Sequence, residues 1–399
     1  MAVPAEGAPP ADGVFGGLLR AFLLRHSGCS CHPPVPRGFP AIPGLFFSET
    51  DFIKEFLMIS RKTLPPEARL SLAPMLDLTD RHLRYFLRTL SRHIYLYTEM
   101  ISTGAIIYGS RDYLRFDDFE HPVALQLGGS DPHDMAKAAR IGEDRGYDEI
   151  NINAGCPSSR VQAGTFGAVL MKNLPLLSAV IRAVKDAVSV PVTVKTRLGV
   201  DDLAGYDFTS RLVSAIQDAG ADGVIIHARN ACLDISPRDN REKPPLDYEA
   251  VYRIKRDFPD LFVGINGNIM DLDAATAHLR HVDGVMMGRA LYRDPYILED
   301  ADFRIFGEER RAGAPNPRSR AQVIRDMYPY IEQELSRGEL LKHITRHFTG
   351  MFQSCPNARK FRQYLSMNQH LPGAGIEVLE EALRLVSGDS CENGEVSEA

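Results

Sequence analysis

Eight short apolar segments, each followed by a segment of helical periodicity, constrain this chain more than any other feature of its sequence. The predicted strands are 70–73, 96–98, 123–127, 149–153, 192–195, 223–227, 262–266 and 284–287. The helices predicted between them include Asp131–Arg145, Leu174–Ala187, Asp247–Phe258 and Asp271–Leu279, several of which begin at an aspartate that can cap free backbone N–H groups. Eight successive strand–helix units predict an α/β fold, the (β/α)8 TIM barrel.

We assign the predicted barrel to residues 67–310. A connector rich in Pro, Gly and Arg follows, and four segments of helical periodicity then predict a small C-terminal all-helical domain at 320–388, with a disordered tail at 389–399. A doubly wound open sheet remains an alternative to the barrel. That fold more often carries a glycine-rich turn after its first strand, where this chain reads APMLDLTD.

Residues 1–66 differ in composition and are predicted to be an extension outside the fold. The segment Val14–Phe47 contains three arginines and no acidic residue, a pattern typical of an organellar transit peptide, and a disordered tail is the alternative. We therefore expect a cytoplasmic protein, or a mitochondrial or chloroplast protein if the extension is a transit peptide. Its short His/Cys tract, HSGCSCH at 26–32, lacks a second ligand pair at defined spacing, so no metal site is predicted.

Composition excludes several classes of protein. With 44% apolar and 25% charged residues, the 399-residue chain can bury a large core, and it has no apolar run long enough to predict a membrane span. Six scattered cysteines do not resemble the framework of a small secreted domain. The net charge of −6 argues against general nucleic-acid binding, so an RNA site would have to be a local basic surface. Nothing implies a protein partner, and a monomer is expected.

Polar residues stand at the predicted carboxyl ends of the strands, where barrel enzymes place their functional groups. Strands seven and eight end in Asn-Gly and Gly-Arg, which suits phosphate binding because glycine lets backbone N–H groups approach an anion. Lys195 ends an apolar strand and is costly to bury unless it faces an acceptor or an ion-pair partner. His227 alone would more often be a core histidine, but its position beside the lysine favours a ligand role.

Cys156 follows the fourth strand, between Gly155 and Pro157, and precedes the polar segment SSRVQAGTFG. We expect this segment to be exposed and mobile. A thiol is mostly protonated at neutral pH and can serve as a general acid. A nucleophilic role is the alternative, but it needs a histidine base or a site that stabilises the thiolate, and the neighbouring sequence identifies neither.

Positive charge is concentrated near the C-terminus. The segment from Arg318 to His370 contains nine Lys/Arg residues and four Asp/Glu residues, although the protein as a whole is acidic. This bias predicts a surface for a polyanion, with a solvated helix face as the alternative.

Taken in order, the motifs identify a family resemblance. The stretches APMLDLTD, ALQLGG, ININAGCPSSRVQAGTFGAVLM, VTVKTRLG, HAR, SPRDNREKPPLDY, INGN and DGVMMGR resemble the tRNA-dihydrouridine synthases, and are closest to the A-type subfamily. The resemblance runs from about Leu70 to Val386 and includes HITRHFTGMFQ and ARKFRQYLS of the helical region. Asn268 stands where that subfamily often has glycine.

The resemblance implies specific roles. It makes Cys156 the proton donor, and it implies NADPH as the reductant and tRNA as the partner. FMN contacts fall on Pro74, Met75, Leu76, Gln126, Lys195, His227, Asn266, Gly267, Asn268, Gly288 and Arg289. Positions that contact tRNA fall on Asn153, Arg238, Arg241, Arg359 and Arg362.

The expected reaction is the flavin-dependent reduction of uridine to 5,6-dihydrouridine in the D-loop of tRNA, at positions 20 and 20a. One alternative is a small-molecule FMN oxidoreductase of the dihydroorotate dehydrogenase type, which would not need the basic helical domain. A second is a non-catalytic RNA-binding protein, which would not need Cys156, Lys195 and His227.

Overall fold

The computed structural model describes residues 64–309 and 317–386. Its eight parallel strands are β1 Leu70–Leu72, β2 Leu96–Ser102, β3 Val123–Gly128, β4 Glu149–Asn153, β5 Val192–Arg197, β6 Gly223–His227, β7 Phe262–Asn266 and β8 Gly284–Met287. Seven pairings connect them in the order β1-β8-β7-β6-β5-β4-β3-β2. Tyr95, just before β2, brings the two ends together: its N–H donates to Leu70 O and its carbonyl accepts from Leu72 N, both at 2.9 Å. The predicted TIM barrel is confirmed.

Helices surround this sheet. Those of the barrel are α1 Arg81–Leu90, α2 Thr103–Tyr108, α3 Pro132–Asp144, α4 Ser159–Ala163, α5 Leu174–Ala187, α6 Tyr206–Asp218, α7 Tyr248–Asp257, α8 Leu272–His278, α9 Arg289–Arg293 and α10 Ala301–Arg304. Short 3-10 helices lie at Pro66–Arg69, Asp118–Glu120, Gly167–Lys172, Asp239–Arg241 and Pro295–Asp300. The predicted aspartate caps are present, since Asp131, Asp247 and Asp271 each accept from a backbone N–H three residues later.

The sheet separates an apolar layer beneath the helices from the inside of the barrel. Between sheet and helices lies a continuous apolar layer that includes Ile150 and Ile152 of β4. Inside the barrel, a small cluster that includes Tyr95 and Tyr97 shares the space with polar side chains, among them the fully buried Glu149. Because alternate residues of a strand face opposite sides, β4 supplies apolar groups outward and polar groups inward.

The C-terminal region is helical, as predicted. Its elements are α11 Arg320–Arg325, α12 Tyr328–Ser336, α13 Leu341–Thr345, the 3-10 helix Arg346–Gly350, α14 Ala358–Asn368 and α15 Ile376–Arg384. Residues 323–335 have one continuous helical periodicity, but they belong to two helices, with Met327 as the N-cap of α12 and a proline in its first turn. Proline is tolerated there because first-turn N–H groups have no partner within the helix.

Helix α1 joins this region to the barrel. Arg81 forms a charged hydrogen bond of 2.6 Å with Glu339, and Tyr330 OH lies 2.8 Å from His82 Nδ1. The rings of Phe86 and Phe348 pack edge to face at 4.8 Å between centroids. Both polar and apolar contacts therefore hold the helical region beside the first strand of the barrel.

Three predictions for the chain termini fall outside the described residues: the extension up to residue 63, its targeting role and the tail. No helix within 64–309 or 317–386 has the length and apolar character required to cross a bilayer.

Candidate active site

The candidate site lies at the carboxyl ends of the strands, where the sheet register sets polar residues side by side. Asn153 of β4 pairs with Lys195 of β5, and His227 of β6 pairs with Asn266 of β7. Residues predicted from distant parts of the sequence thus meet at one rim.

Lys195 is surrounded by protein, although part of its side chain faces the open rim. Its Nζ donates to Asn266 Oδ1 at 3.1 Å, and Asn266 Nδ2 donates to Met286 O at 2.7 Å. No described carboxylate forms an ion pair with this ammonium group. Within the described residues, the alternative of a buried ion pair for Lys195 is therefore ruled out. Burial, helped by the charge of Arg197, lowers the pKa of Lys195 to about 7.

His227 stands in the same positive surroundings. Burial and the charges of Arg197 and Lys195 keep its pKa well below the ordinary value, so the imidazole is neutral at pH 7. A neutral ring has one N–H donor and one acceptor nitrogen, so it can orient a bound group without adding charge.

Backbone shape prepares the rim after β7 for an anion. Gly267 and Asn268 have φ values of 133° and 51°, and successive turns of this kind can expose backbone N–H groups to one ligand. A Cβ on Gly267 would lie 3.0 Å from the His227 ring. Asparagine is one of the few residues that tolerates the left-handed region, which explains why Asn268 can stand where the subfamily often has glycine.

The neighbouring rim after β8 is also open and positively charged. A Cβ on Gly288 would lie 3.2 Å from Ala73 Cβ and 3.5 Å from Met75 Sδ, so glycine keeps this edge free. Arg289 follows, one-third exposed, 3.8 Å from Glu242. Burial and the nearby charges of Arg241 and Arg293 lower its pKa. A glycine backbone next to several arginines suits the binding of a cofactor phosphate.

Cys156 is held by an ordered segment. The N–H groups of Gly155 and Cys156 donate to Asn153 Oδ1 at 3.1 and 3.0 Å, and Cys156 O accepts from Ala168 N at 2.9 Å. The thiol is partly exposed, as expected, and lies 3.6 Å from Ser158 Oγ. These hydrogen bonds define the backbone conformation around Cys156, and the expected mobility of 158–167 stays a prediction.

Arg197 is a functional candidate that the sequence analysis did not assign. Its Nε donates to Gly155 O at 3.0 Å, and its Nη1 donates to Asn230 O and Asn240 O at 3.2 and 3.1 Å. One buried guanidinium thus joins the Cys156 segment to the segment that bears Arg238 and Arg241. The available signal was its position two residues after Lys195, on the same side of β5.

Two of the other predicted residues are exposed. Leu76 is 57% exposed, and Arg238 is on the surface, 4.0 Å from Glu242. Arg359 and Arg362 line a cleft of about 680 Å³ between the barrel and helical region, together with Arg293, which sequence reasoning missed.

Fold and site together define a (β/α)8-barrel protein that combines glycine-bearing turns, several cations and the thiol of Cys156 at one rim. The family model described as Dihydrouridine synthase (Dus) matches residues 71–387. The chain is 55% identical over 327 residues to the tRNA-dihydrouridine(20/20a) synthase of Escherichia coli O6:H1, covering 82% of this chain and 97% of that one. Identity to the synthase of the same name from Vibrio cholerae serotype O1 is 52%, with 79% and 95% covered. The chain belongs to the dihydrouridine synthase family.

This membership confirms the family and the enzyme class predicted from the motifs. Among solved structures, morphinone reductase in complex with tetrahydroNAD matches 62% of this chain and 89% of its own, at 14% identity and a TM-score of 0.41.

The low pKa of Lys195 predicts how stability without added cofactor varies with pH. The unfolded chain keeps this proton up to about pH 10, whereas the folded chain releases it near pH 7, so this group makes stability rise between those values. Lys195→Met should therefore raise the melting temperature at neutral pH by about 2–4 °C or more. Its advantage over the wild type should shrink toward pH 10 in thermal unfolding. If the difference in melting temperature does not change with pH, burial of the charged ammonium group is not what destabilises the wild type.

Proposed function

We propose that the protein reduces uridine to 5,6-dihydrouridine in the D-loop of tRNA, at positions 20 and 20a, with FMN as cofactor and NADPH as reductant. The observation that carries the proposal is the ordered thiol of Cys156, which stands at the same rim as Lys195, His227 and the Gly267–Asn268 turn. The names of the relatives support the positions 20 and 20a.

The rim residues suit FMN. Gly267, Asn268, Gly288 and Arg289 would hold its phosphate, since they combine open backbone with positive charge. Lys195 and His227 would face the acceptor edge of the ring, and the residues named above for flavin contact, from Pro74 to Gln126, would complete the site. When bound, the flavin supplies the hydride that the uracil ring accepts at C6.

Cys156 would donate a proton to C5 of the uracil ring. Hydride arriving at C6 develops negative charge toward C5 and O4, which a correctly placed acid can neutralise. The N–H groups of Gly155 and of Cys156 itself both donate to Asn153 Oδ1 and so fix the Cys156 backbone. The described residues offer no histidine in hydrogen-bonding contact with the sulfur, so they lack the base that would activate a nucleophile. Overall, NADPH, a proton and uridine yield NADP⁺ and dihydrouridine.

A tRNA surface would extend from the rim to the helical region. Of the nine Lys/Arg residues counted there, five (Arg318, Arg320, Arg325, Arg337 and Arg346) form ion pairs with carboxylates. The other cations include Arg359, Lys360 and Arg362, which are all exposed on α14. Arg241 and Arg293 lie near Arg289, which links the two ends of the surface. A uridine must leave its stack to enter the rim, at a cost of a few kcal/mol that is smallest in a loop.

The cofactor assignment predicts one non-covalent FMN per chain. Arg289→Ala should weaken flavin retention, because it removes the cation beside the proposed phosphate site. Denaturation followed by chromatography would identify the released flavin, and titration of stripped protein would give the affinities. Arg256→Ala, an exposed change on α7, is the control and should retain flavin. Wild-type protein that purifies without flavin and fails to bind added FMN would overturn the proposed function.

The tRNA surface predicts salt-dependent binding. Arg359→Ala or Arg362→Ala should weaken tRNA affinity and reduce the slope of log K against log salt by about 0.7–0.9 for each phosphate that is no longer neutralised. Filter binding or anisotropy over a salt series would measure both values. Arg384→Ala removes an equally exposed cation from α15 and should change neither. Unchanged affinity in both α14 variants would make that helix an ordinary solvated face.

The role of Cys156 predicts a selective loss of rate. Cys156→Ala should leave flavin reduction by NADPH nearly intact, because that step delivers no proton to uracil. Reoxidation by tRNA should slow by about 10²–10⁴-fold, the usual contribution of a general acid. Rapid-mixing absorbance separates the two half-reactions, and Cys232→Ala, at another partly buried thiol, serves as the control. Reoxidation as fast as in the wild type would require another acid.

A further inference from the structure

A chain of hydrogen-bonded side chains crosses the inside of the barrel, from the Cys156 segment to the buried carboxyl of Glu149. Asn153 Nδ2 donates to Gln126 Oε1 at 2.8 Å, and Gln126 Nε2 donates to Asn151 Oδ1 at 2.7 Å. Asn151 Nδ2 then donates to Thr193 Oγ1 at 2.7 Å, and the Thr193 hydroxyl donates to Glu149 Oε1. All the links are buried.

The direction of this chain follows from its upper end. The backbone N–H groups of Gly155 and Cys156 can only donate, so the Asn153 atom that faces them must be the oxygen. Its NH2 group therefore faces Gln126, and the same reasoning fixes each amide in turn. At Thr193 the hydroxyl oxygen accepts, so its single proton must go to another acceptor.

Glu149 supplies that acceptor at the lower end. Its Oε1 also accepts from Tyr97 OH at 2.8 Å, and it forms no ion pair with a described residue. Burial raises the pKa of Glu149 to about 7. A buried carboxyl without a cation is costly, whereas an apolar side chain would fill this position without that cost. Packing alone does not account for a glutamate here.

We propose that Glu149 and Thr193 are positioning residues for uridine reduction, which hold the lower end of the amide chain in the direction that its upper end requires and so keep Gln126, Asn153 and the Cys156 segment oriented. With this direction, Gln126 and Asn153 each keep a second N–H that is not used in the chain and can serve a carbonyl of the flavin or of uracil. The opposite direction would present carbonyl oxygens and leave the N–H groups of Gly155 and Cys156 without their acceptor. The inference rests on the proposed function.

Thr193→Val tests the chain with little change in volume, because it removes the hydroxyl and leaves Asn151 Nδ2 without its acceptor. Thr193→Ser keeps the hydroxyl and should rescue the enzyme. Tyr97→Phe removes the other donor to Glu149 Oε1 but lies outside the chain, so it is the matched control. All three would be purified as flavin-loaded full-length protein and compared with the wild type by thermal unfolding.

Two readouts are needed. Reoxidation of the flavin by tRNA should slow in Thr193→Val by up to about 100-fold, as expected when a reacting group is displaced by a distant change, with a much smaller effect on reduction by NADPH. Hydrogen exchange at Gly155 and Cys156 should also become faster, because their shared acceptor is no longer held by the chain. Thr193→Ser and Tyr97→Phe should stay near the wild type in both.

The outcomes separate this inference from the proposed function. If wild-type flavin is not reoxidised by tRNA, the proposed function fails, while exchange still reports on the chain. If the wild type is active and Thr193→Val matches it in reoxidation and in exchange at both amides, the inference is overturned. Equal slowing of both half-reactions, not rescued by Thr193→Ser, would also overturn it, because it would indicate general damage to the barrel.

Discussion

The two backbone hydrogen bonds of Tyr95 close the barrel between β1 and the start of β2, the junction that the seven strand pairings leave open. Parallel pairing places Met75 beside Gly288 and Asn153 beside Lys195, and closure then brings the β1 and β2 ends of the sheet together. If the sheet stayed open, Met75, after β1, and Gln126, on β3, would lie near opposite edges and would not share one rim.

The rim carries an excess of positive charge. Lys195, Arg197 and Arg289 gather there, and burial lowers the pKa of each. Among the described residues, a carboxylate lies within ion-pair distance of Arg289 alone of these three cations, at 3.8 Å. Positive charges concentrated in this way repel one another and lower the stability of the folded protein, and an acceptor-rich ligand bound here would relieve that repulsion.

Local signals predicted the strands and the helix caps well, because alternation and aspartate caps involve residues a few positions apart. Other features depend on contacts between distant segments. Arg197 could be seen at a strand end, but its three carbonyl partners lie in segments 42, 33 and 43 residues away. The C-terminal charge count likewise overstated the free positive surface, since distant carboxylates such as Glu299 neutralise part of it. The left-handed backbone of Asn268 could be suspected only from its substitution for glycine.

The interior chain has a sequence signal of a different kind. Strand β4 reads E-I-N-I-N, so Glu149, Asn151 and Asn153 share one face, whereas the two isoleucines pack outward against the helices. A strand covered on both sides is normally apolar throughout, so polar residues at every second position call for partners. The register supplies them, because Gln126 and Thr193 flank Asn151 on the adjacent strands. Polar side chains at every second position of β4, together with Gln126 and Thr193 on the adjacent strands, thus form the chain that runs from Glu149 to the segment that carries the thiol.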